Sequence, residues 1–311
     1  MGFDLVSLGV VCADIMVRPV DAIPAGGALG LVPQLEMHLG GLAGVTASVF
    51  SQLGGRSAFI GRVGHDGFGD YLLSALENNG VNTGGVRRVW DTRSSATVVL
   101  IDSSGERTFL HHVGANAETC EADVDFDVVS ASRVLHWGGP AIMPQLDGAP
   151  MGRVFKRAKE LGVRTSMDTC YDGKGVWFPL IEPSLPHLDI IFSSFEEARG
   201  YTGCDTPETI ADFYLRYGVK IAVIKLGGDG LFIKSPTETL RLPAHKVDVV
   251  DTTGAGDASC GGFLYGWLQD WDLEKCGRFA NAVGGLTVQR MGGAEAIEGL
   301  EQTIAFMETL S

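Results

Sequence analysis

What confines this chain most is a rhythm. From residue 134 onward, apolar or β-branched runs at 134–136, 163–167, 188–192, 221–225, 231–234 and 239–242 are interleaved with helical periodicity at 151–161, 207–217, 257–269, 274–290 and 300–309. In the 151–161 stretch Met151, Val154, Phe155, Ala158 and Leu161 share one face. Strands separated by helices pair in parallel, and a parallel sheet needs helices over both of its faces. The N-terminal third keeps the same beat: a buried run over 4–11, a helix opening at Gly40-Gly41, a strand over 57–60 and a helix over 68–79. Two stretches break it. Residues 15–39 set Pro19, Pro24, Gly26, Gly27 and Pro33 between short β-like runs, and 93–113 holds β runs at 96–101 and 107–112 around Asp102-Ser103-Ser104-Gly105, a hairpin signal. Neither has a helix to cover it. The expectation is an α/β core of residues 1–14, 40–92 and 114–311, with 15–39 and 93–113 joined as a small β-sheet lid.

Composition removes several classes of function. With 38 acidic against 24 basic residues the formal charge is -14, and a nucleic-acid backbone calls for a basic stripe instead. The six cysteines show no C-x-x-C spacing and read as buried thiols of a reducing compartment. The N-terminus lacks a basic n-region, and no apolar run is long enough for a bilayer, so a cytoplasmic protein with no membrane partner is expected.

The chemistry concentrates in residues 247–263. Val247-Asp248-Val249-Val250 reads as a strand, Gly254-Ala255-Gly256 as a bend, and Asp257 opens a helix with Phe263, Leu264, Trp267 and Leu268 on its apolar face. Amides at such a bend converge on one spot, which the helix dipole makes favourable for an anion. A carboxylate beside an anion hole makes sense if it takes a proton from a hydroxyl that then attacks a phosphate. The string Asp251-Thr252-Thr253-Gly254-Ala255-Gly256-Asp257 resembles the second signature of the ribokinase-like, or PfkB, family of carbohydrate kinases, D-T-x-G-A-G-D. The resemblance implies a ribokinase-like three-layer sandwich with a mostly parallel central sheet. It also implies Asp257 as general base, the amides of Gly254, Ala255 and Gly256 as cradle for the moving phosphoryl group, and ATP with Mg2+ as cofactors.

Other positions follow from the same resemblance. Gly40-Gly41 matches the family's first signature, G-G-x-x-x-N, and implies close approach of backbone to a sugar, but Val45 stands where Asn is usual. Asp14 matches an Asp that binds substrate hydroxyls, a role suited to a two-oxygen acceptor. Ser194-Phe195-Glu196-Glu197 is similar to N-x-x-E, with Ser194 for Asn, and implies Glu197 beside magnesium; Glu197 on a helix's first turn is the plainer alternative. Lys225 and Gly227 resemble a turn lining the nucleotide, and Asn281 a residue near the adenine. Asp251, with carbonyls near Thr253 and Met291-Gly292, resembles a potassium site. Arg93 and Arg107 read as exposed lid charges, or as phosphate ligands if both face the cleft. His111, His112 and Asn116 are further substrate candidates, Trp137 offers little, and Asp168 ends a strand at the expected edge.

The expected function is ATP-dependent phosphorylation of a sugar hydroxymethyl group, by an enzyme that dimerises through its lid. A nucleoside kinase on the same scaffold and a catalytically silent sugar sensor are the alternatives.

Overall fold

The computed structural model describes residues 2–309. In chain order the elements are β1 (Leu5–Gly9), β2 (Cys12–Arg18), β3 (Gln34–Gly40), α1 (Leu42–Gln52), β4 (Ser57–Gly64), α2 (Gly67–Asn78), β5 (Asn82–Val89), β6 (Ala96–Ile101), β7 (Arg107–His112), α3 (Phe126–Ser130), β8 (Val134–Gly138), α4 (Ala149–Glu160), β9 (Arg164–Asp168), β10 (Ile190–Ser194), α5 (Phe195–Thr202), α6 (Pro207–Arg216), β11 (Ile221–Lys225), β12 (Leu231–Lys234), β13 (Thr239–Leu242), α7 (Ala255–Leu268), α8 (Leu273–Thr287) and α9 (Leu300–Glu308).

Nine strands form one sheet in the order β13-β12-β11-β10-β9-β8-β1-β4-β5. Pairing is parallel from β11 to β5 and antiparallel at β11–β12 and β12–β13. The period-two geometry of strands sends alternate residues into two cores. In β11, Ala222 and Ile224 join Trp137, Phe155 and Tyr214 on one face, while Val223 joins Phe192, Phe263 and Phe279 on the other. Both faces are therefore dry, and the chain forms the expected three layers.

The lid is a second, four-stranded sheet in the order β3-β2-β6-β7. Cross-strand partners share a face, so Asp14 lies with Thr97 and His38. Met16, Val99 and Ile101 on that face pack against Met291 of the core. Ile15, Met37, Val98 and Leu110 share the opposite, outer face.

Three expectations are corrected. The run 4–11 is not one strand: Gly9, at φ 146°, ends β1, and β2 starts at Cys12 in the other sheet. The lid therefore begins at residue 12, not 15. Val247–Val250 is no strand; Val249 and Val250 are exposed, and the amides of Val250 and Asp251 both donate to the Val288 carbonyl, which leaves no ladder to join. Strand β5 carries Gly84 and Gly85 and mostly polar residues at the sheet's edge, and so shows no β pattern in the sequence.

Candidate active site

The sheet order reverses between β1 and β8. From β1 the sheet runs to β4 and β5; from β8 it runs the opposite way to β9, β10 and β11. Connections leaving the carboxyl ends of strands at such a point diverge and open a crevice. Its floor is bare backbone. A Cβ on Gly138 would lie 2.8 Å from Ala43 N, so α1 rests directly on the strand ends. Gly41 caps α1 at φ 92°, a conformation that favours glycine. The first amides of α1 are already satisfied: Ala43 and Gly44 donate to Val10 O at 3.2 and 3.1 Å.

The start of α7 is built differently. Gly254, left-handed at φ 73°, caps it. Ala258 N donates to Gly254 O, and Ala255 N donates to Thr252 O at 3.4 Å, so the Ala255 amide drops out of the expected cradle. Among the described residues nothing accepts from the amides of Gly254, Gly256 or Asp257. Unpaired donors at a helix start are a ready anion site. The Asp257 carboxylate stands beside them. Burial, reinforced by the charge of Asp168 and opposed by Lys225, pushes its carboxyl up to about 8.

Lys225 and Asp168 end β11 and β9 and meet across β10 beneath this loop. Lys225 Nζ donates to Asp168 Oδ1 and Oδ2 at 2.7 and 2.8 Å. A Cβ on Gly256 would lie 3.1 Å from that Nζ. Burial alone would lower the ammonium's pKa, but the surrounding carboxylates, Asp168 foremost, hold it above the usual lysine range. Lys225 also lines a 430 Å³ groove with Ser194, Glu196 and Gly227.

Glu197 closes a capping box at the start of α5 with Ser194. Its Oε2 accepts from Thr169 Oγ1 at 2.9 Å and Ser194 N at 3.2 Å. Burial raises its pKa against the nearby Lys225 charge. Among the described residues no three His, Cys, Asp or Glu side chains converge as a protein-only metal cage.

The lid supplies the opposite wall. Asp14 is buried, and desolvation pushes its carboxyl up to about 6 against hydrogen bonds from Thr97 and Cys12. Gly40 packs on that carboxylate so tightly that a Cβ would collide with it. Arg107 reaches across: its Nη1 donates to Thr253 Oγ1 at 3.0 Å and lies 3.7 Å from Asp251 Oδ1. Asp251 accepts Thr253 N and Oγ1 through Oδ1, at 2.9 and 2.7 Å, and Gly292 N through Oδ2 at 3.3 Å.

Three candidates have other work. Val45 is fully buried in the core, and its methyls fill the space a side chain at Gly293 would need. Asn116, also fully buried, spends its amide on Val11: Nδ2 donates to Val11 O at 2.9 Å and Oδ1 accepts Val11 N at 3.4 Å. Asn281 donates to Leu242 O and Pro243 O at 3.1 and 3.0 Å, pinning the segment after β13. Arg93 and His112 line a larger cavity of 590 Å³ with Met37 and Phe68 on the lid's outer side, apart from Asp257. His111 pairs with Thr97, and Trp137 is core. Sequence reasoning underrated Asp168; the available signal was that it and Lys225 both end strands.

The model of the pfkB family carbohydrate kinases matches residues 5–299. The chain belongs to that family. Among relatives of this pfkB kinase, fructokinase-1 of Oryza sativa subsp. japonica is 29% identical over 308 residues, covering 93% of this chain and 95% of that protein. The ATP-dependent ribose-1-phosphate kinase of Halopiger xanaduensis is 30% identical over 292 residues, covering 94% of each. Arabidopsis thaliana ribokinase, solved with ribose and ATP, superposes with a TM-score of 0.86 at 26% identity over 99% of each chain. The pfkB kinase is thus a carbohydrate kinase with the ribokinase-like fold, and no helix among its described residues is long and apolar enough to cross a membrane.

Proposed function

We propose that this kinase transfers the γ-phosphoryl group of ATP to a hydroxymethyl group of a neutral sugar. The observation that carries this is the set of unpaired amides at the start of α7 beside the Asp257 carboxylate. Asp14 accepts hydroxyl donors of the sugar, with Gly40 and Gly41 allowing the ring close to the backbone. Asp257 takes the proton of the attacking hydroxyl. The amides of Gly254, Gly256 and Asp257 receive the charge on the phosphoryl oxygens, and stabilising that charge is what most lowers the barrier in such transfers. Lys225, fixed by Asp168, places an ammonium under the same loop, and the groove it shares with Gly227 suits the nucleotide.

The sugar is read as neutral because the cleft offers it carboxylates. Arg107 is engaged by Thr253 and Asp251, and Arg93 lies on the far side of the lid. A phosphorylated substrate would meet Asp14 and Asp257 without a free guanidinium.

Magnesium fits as a passenger on the nucleotide, with Glu197 the residue to hold it through water, since Mg2+ takes few protein carboxylates. When bound it neutralises phosphate charge. Potassium beside Asp251 fits less well: three hydrogen bonds and the Arg107 guanidinium already meet the demand that such an ion would serve. The free cysteines suit a reducing, cytoplasmic setting. A second copy of the chain is proposed to cover the lid's outer face.

A panel of sugars and nucleosides with labelled ATP tests the function. Phosphorylated hexose or pentose with little nucleoside product is the expected result. Product from nucleosides alone would move the assignment to a nucleoside kinase, and ligand binding without any product would mark a sensor.

A further inference from the structure

We propose that Arg107 is a positioning residue: from the lid it latches Thr253 and so holds the loop that receives the transferred phosphoryl group. This rests on the kinase function proposed above.

Arg107 starts β7 on the lid face toward the cleft, opposite Ile101, which packs against Met291 of the core. Its guanidinium crosses to the core and donates to Thr253 Oγ1 at 3.0 Å. The same hydroxyl donates to Asp251 Oδ1 at 2.7 Å. One proton is given and one lone pair taken, so the hydroxyl is a relay between lid and loop. Thr253 directly precedes Gly254, whose left-handed turn aims the unpaired amides. A second tie converges on the same place. His38 of β3 bonds Glu295 Oε1 through Nδ1 at 3.0 Å, and Glu295 Oε2 accepts Ala294 N at 2.9 Å. The backbone there abuts the loop: a Cβ on Gly254 would lie 2.7 Å from Gly293 Cα.

Opening of the lid would break the Arg107 contact and act on the loop in two ways. Thr253 would lose one of its anchors, and the loop would sample arrangements in which its amides no longer converge. Asp251, buried near the anion site, would also lose its guanidinium, and its bare charge would oppose the phosphoryl group as it moves toward the acceptor. Closure over a sugar restores both, which links phosphoryl transfer to occupancy of the acceptor site and protects ATP from water.

The test uses the full chain with Arg107→Ala, Thr253→Val, Thr253→Ser and the Arg107→Ala/Thr253→Val pair. Fructose and ribose serve as acceptors, and a non-hydrolysable ATP analogue as the nucleotide probe. Each of the first two variants is expected to lower kcat by about tenfold or more while the analogue's Kd stays within about twofold. The double variant should lose less than the product of the two single losses, because the Arg107–Thr253 bond cannot be removed twice, although each residue also has its own contact with Asp251. Thr253→Ser keeps the hydroxyl and should keep turnover. In hydrogen exchange with sugar and analogue bound, residues 252–258 should be protected in the parent enzyme and less so in either impaired variant. Losses that multiply, a change confined to the sugar KM, or unaltered exchange would overturn the latch. Failure of the parent enzyme to phosphorylate any acceptor counts against the function instead, and the exchange comparison still decides the latch.

Discussion

Asp257 is placed where it costs stability and serves chemistry. Its carboxyl, ordinarily near 3.8, is pushed up to about 8 by burial and by Asp168. The unfolded chain ionises it at the lower value, so the folded state keeps its full stability only below that value and loses some as pH rises toward the higher one. Asp257→Asn should therefore melt no higher than the parent near pH 4 and clearly higher above pH 8, a difference calorimetry across pH would read. The same variant should lose about 10²–10⁴-fold in kcat, the usual loss when a general base is removed, with ATP affinity little changed. Near-normal turnover would remove Asp257 from the reaction. In the parent, only the ionised carboxylate accepts a proton, so kcat/KM should rise with pH through a limb above the ordinary carboxylate range. Gly40 gives a complementary prediction on the sugar side. A methyl there would collide with the Asp14 carboxylate, so Gly40→Ala should raise the sugar KM by about tenfold or more and leave ATP binding intact. An unchanged KM would detach Asp14 from the substrate.

Elements were legible where their periodicity was strong. Strands β6, β7, β11, β12 and β13 fall on the runs read from the sequence, because alternation or continuous β-branching leaves no competing period. The site was legible in the string 251–257, where glycine conformation, helix start and carboxylate are contiguous in the chain. It was illegible where a side chain's partner comes from a distant element. Nothing local says that Asn116 turns from the cleft to pair with the Val11 backbone, or that Lys225 spends its charge on Asp168. Asn116 also fixes the crossover from β1 to β2, where the chain leaves one sheet for the other. Asn116→Ala strands a buried donor and acceptor on Val11, so it should cost about 1–3 kcal/mol in urea unfolding. Its effect on sugar KM should be small beside that of Gly40→Ala; the reverse order would restore Asn116 as a substrate contact.

At the scale of the molecule, the lid presents two unlike faces. The inner one carries Asp14, Met16, Thr97 and Arg107 and closes on the core; the outer one leaves Leu35, Met37 and Leu110 exposed by 64%, 38% and 62%. The same sheet ends in two open edges, β3 and β7, whose unpaired backbone groups invite another strand. An apolar face this open on a sheet with free edges calls for cover, and a second lid offers the same pattern in return. We therefore expect the enzyme to sediment as a dimer at micromolar concentration. Leu110→Glu, which buries a charge in that contact, should shift it to monomer. Because Leu110 pairs with Val98, the neighbour of Thr97 and Val99 on the inner face, loss of the partner should also loosen the wall around Asp14. The monomer should then bind sugar more weakly while its ATP affinity holds. A parent enzyme that sediments as a monomer would sink the proposed pairing. A Leu110→Glu dimer with unaltered sugar KM would instead place the contact elsewhere on the surface.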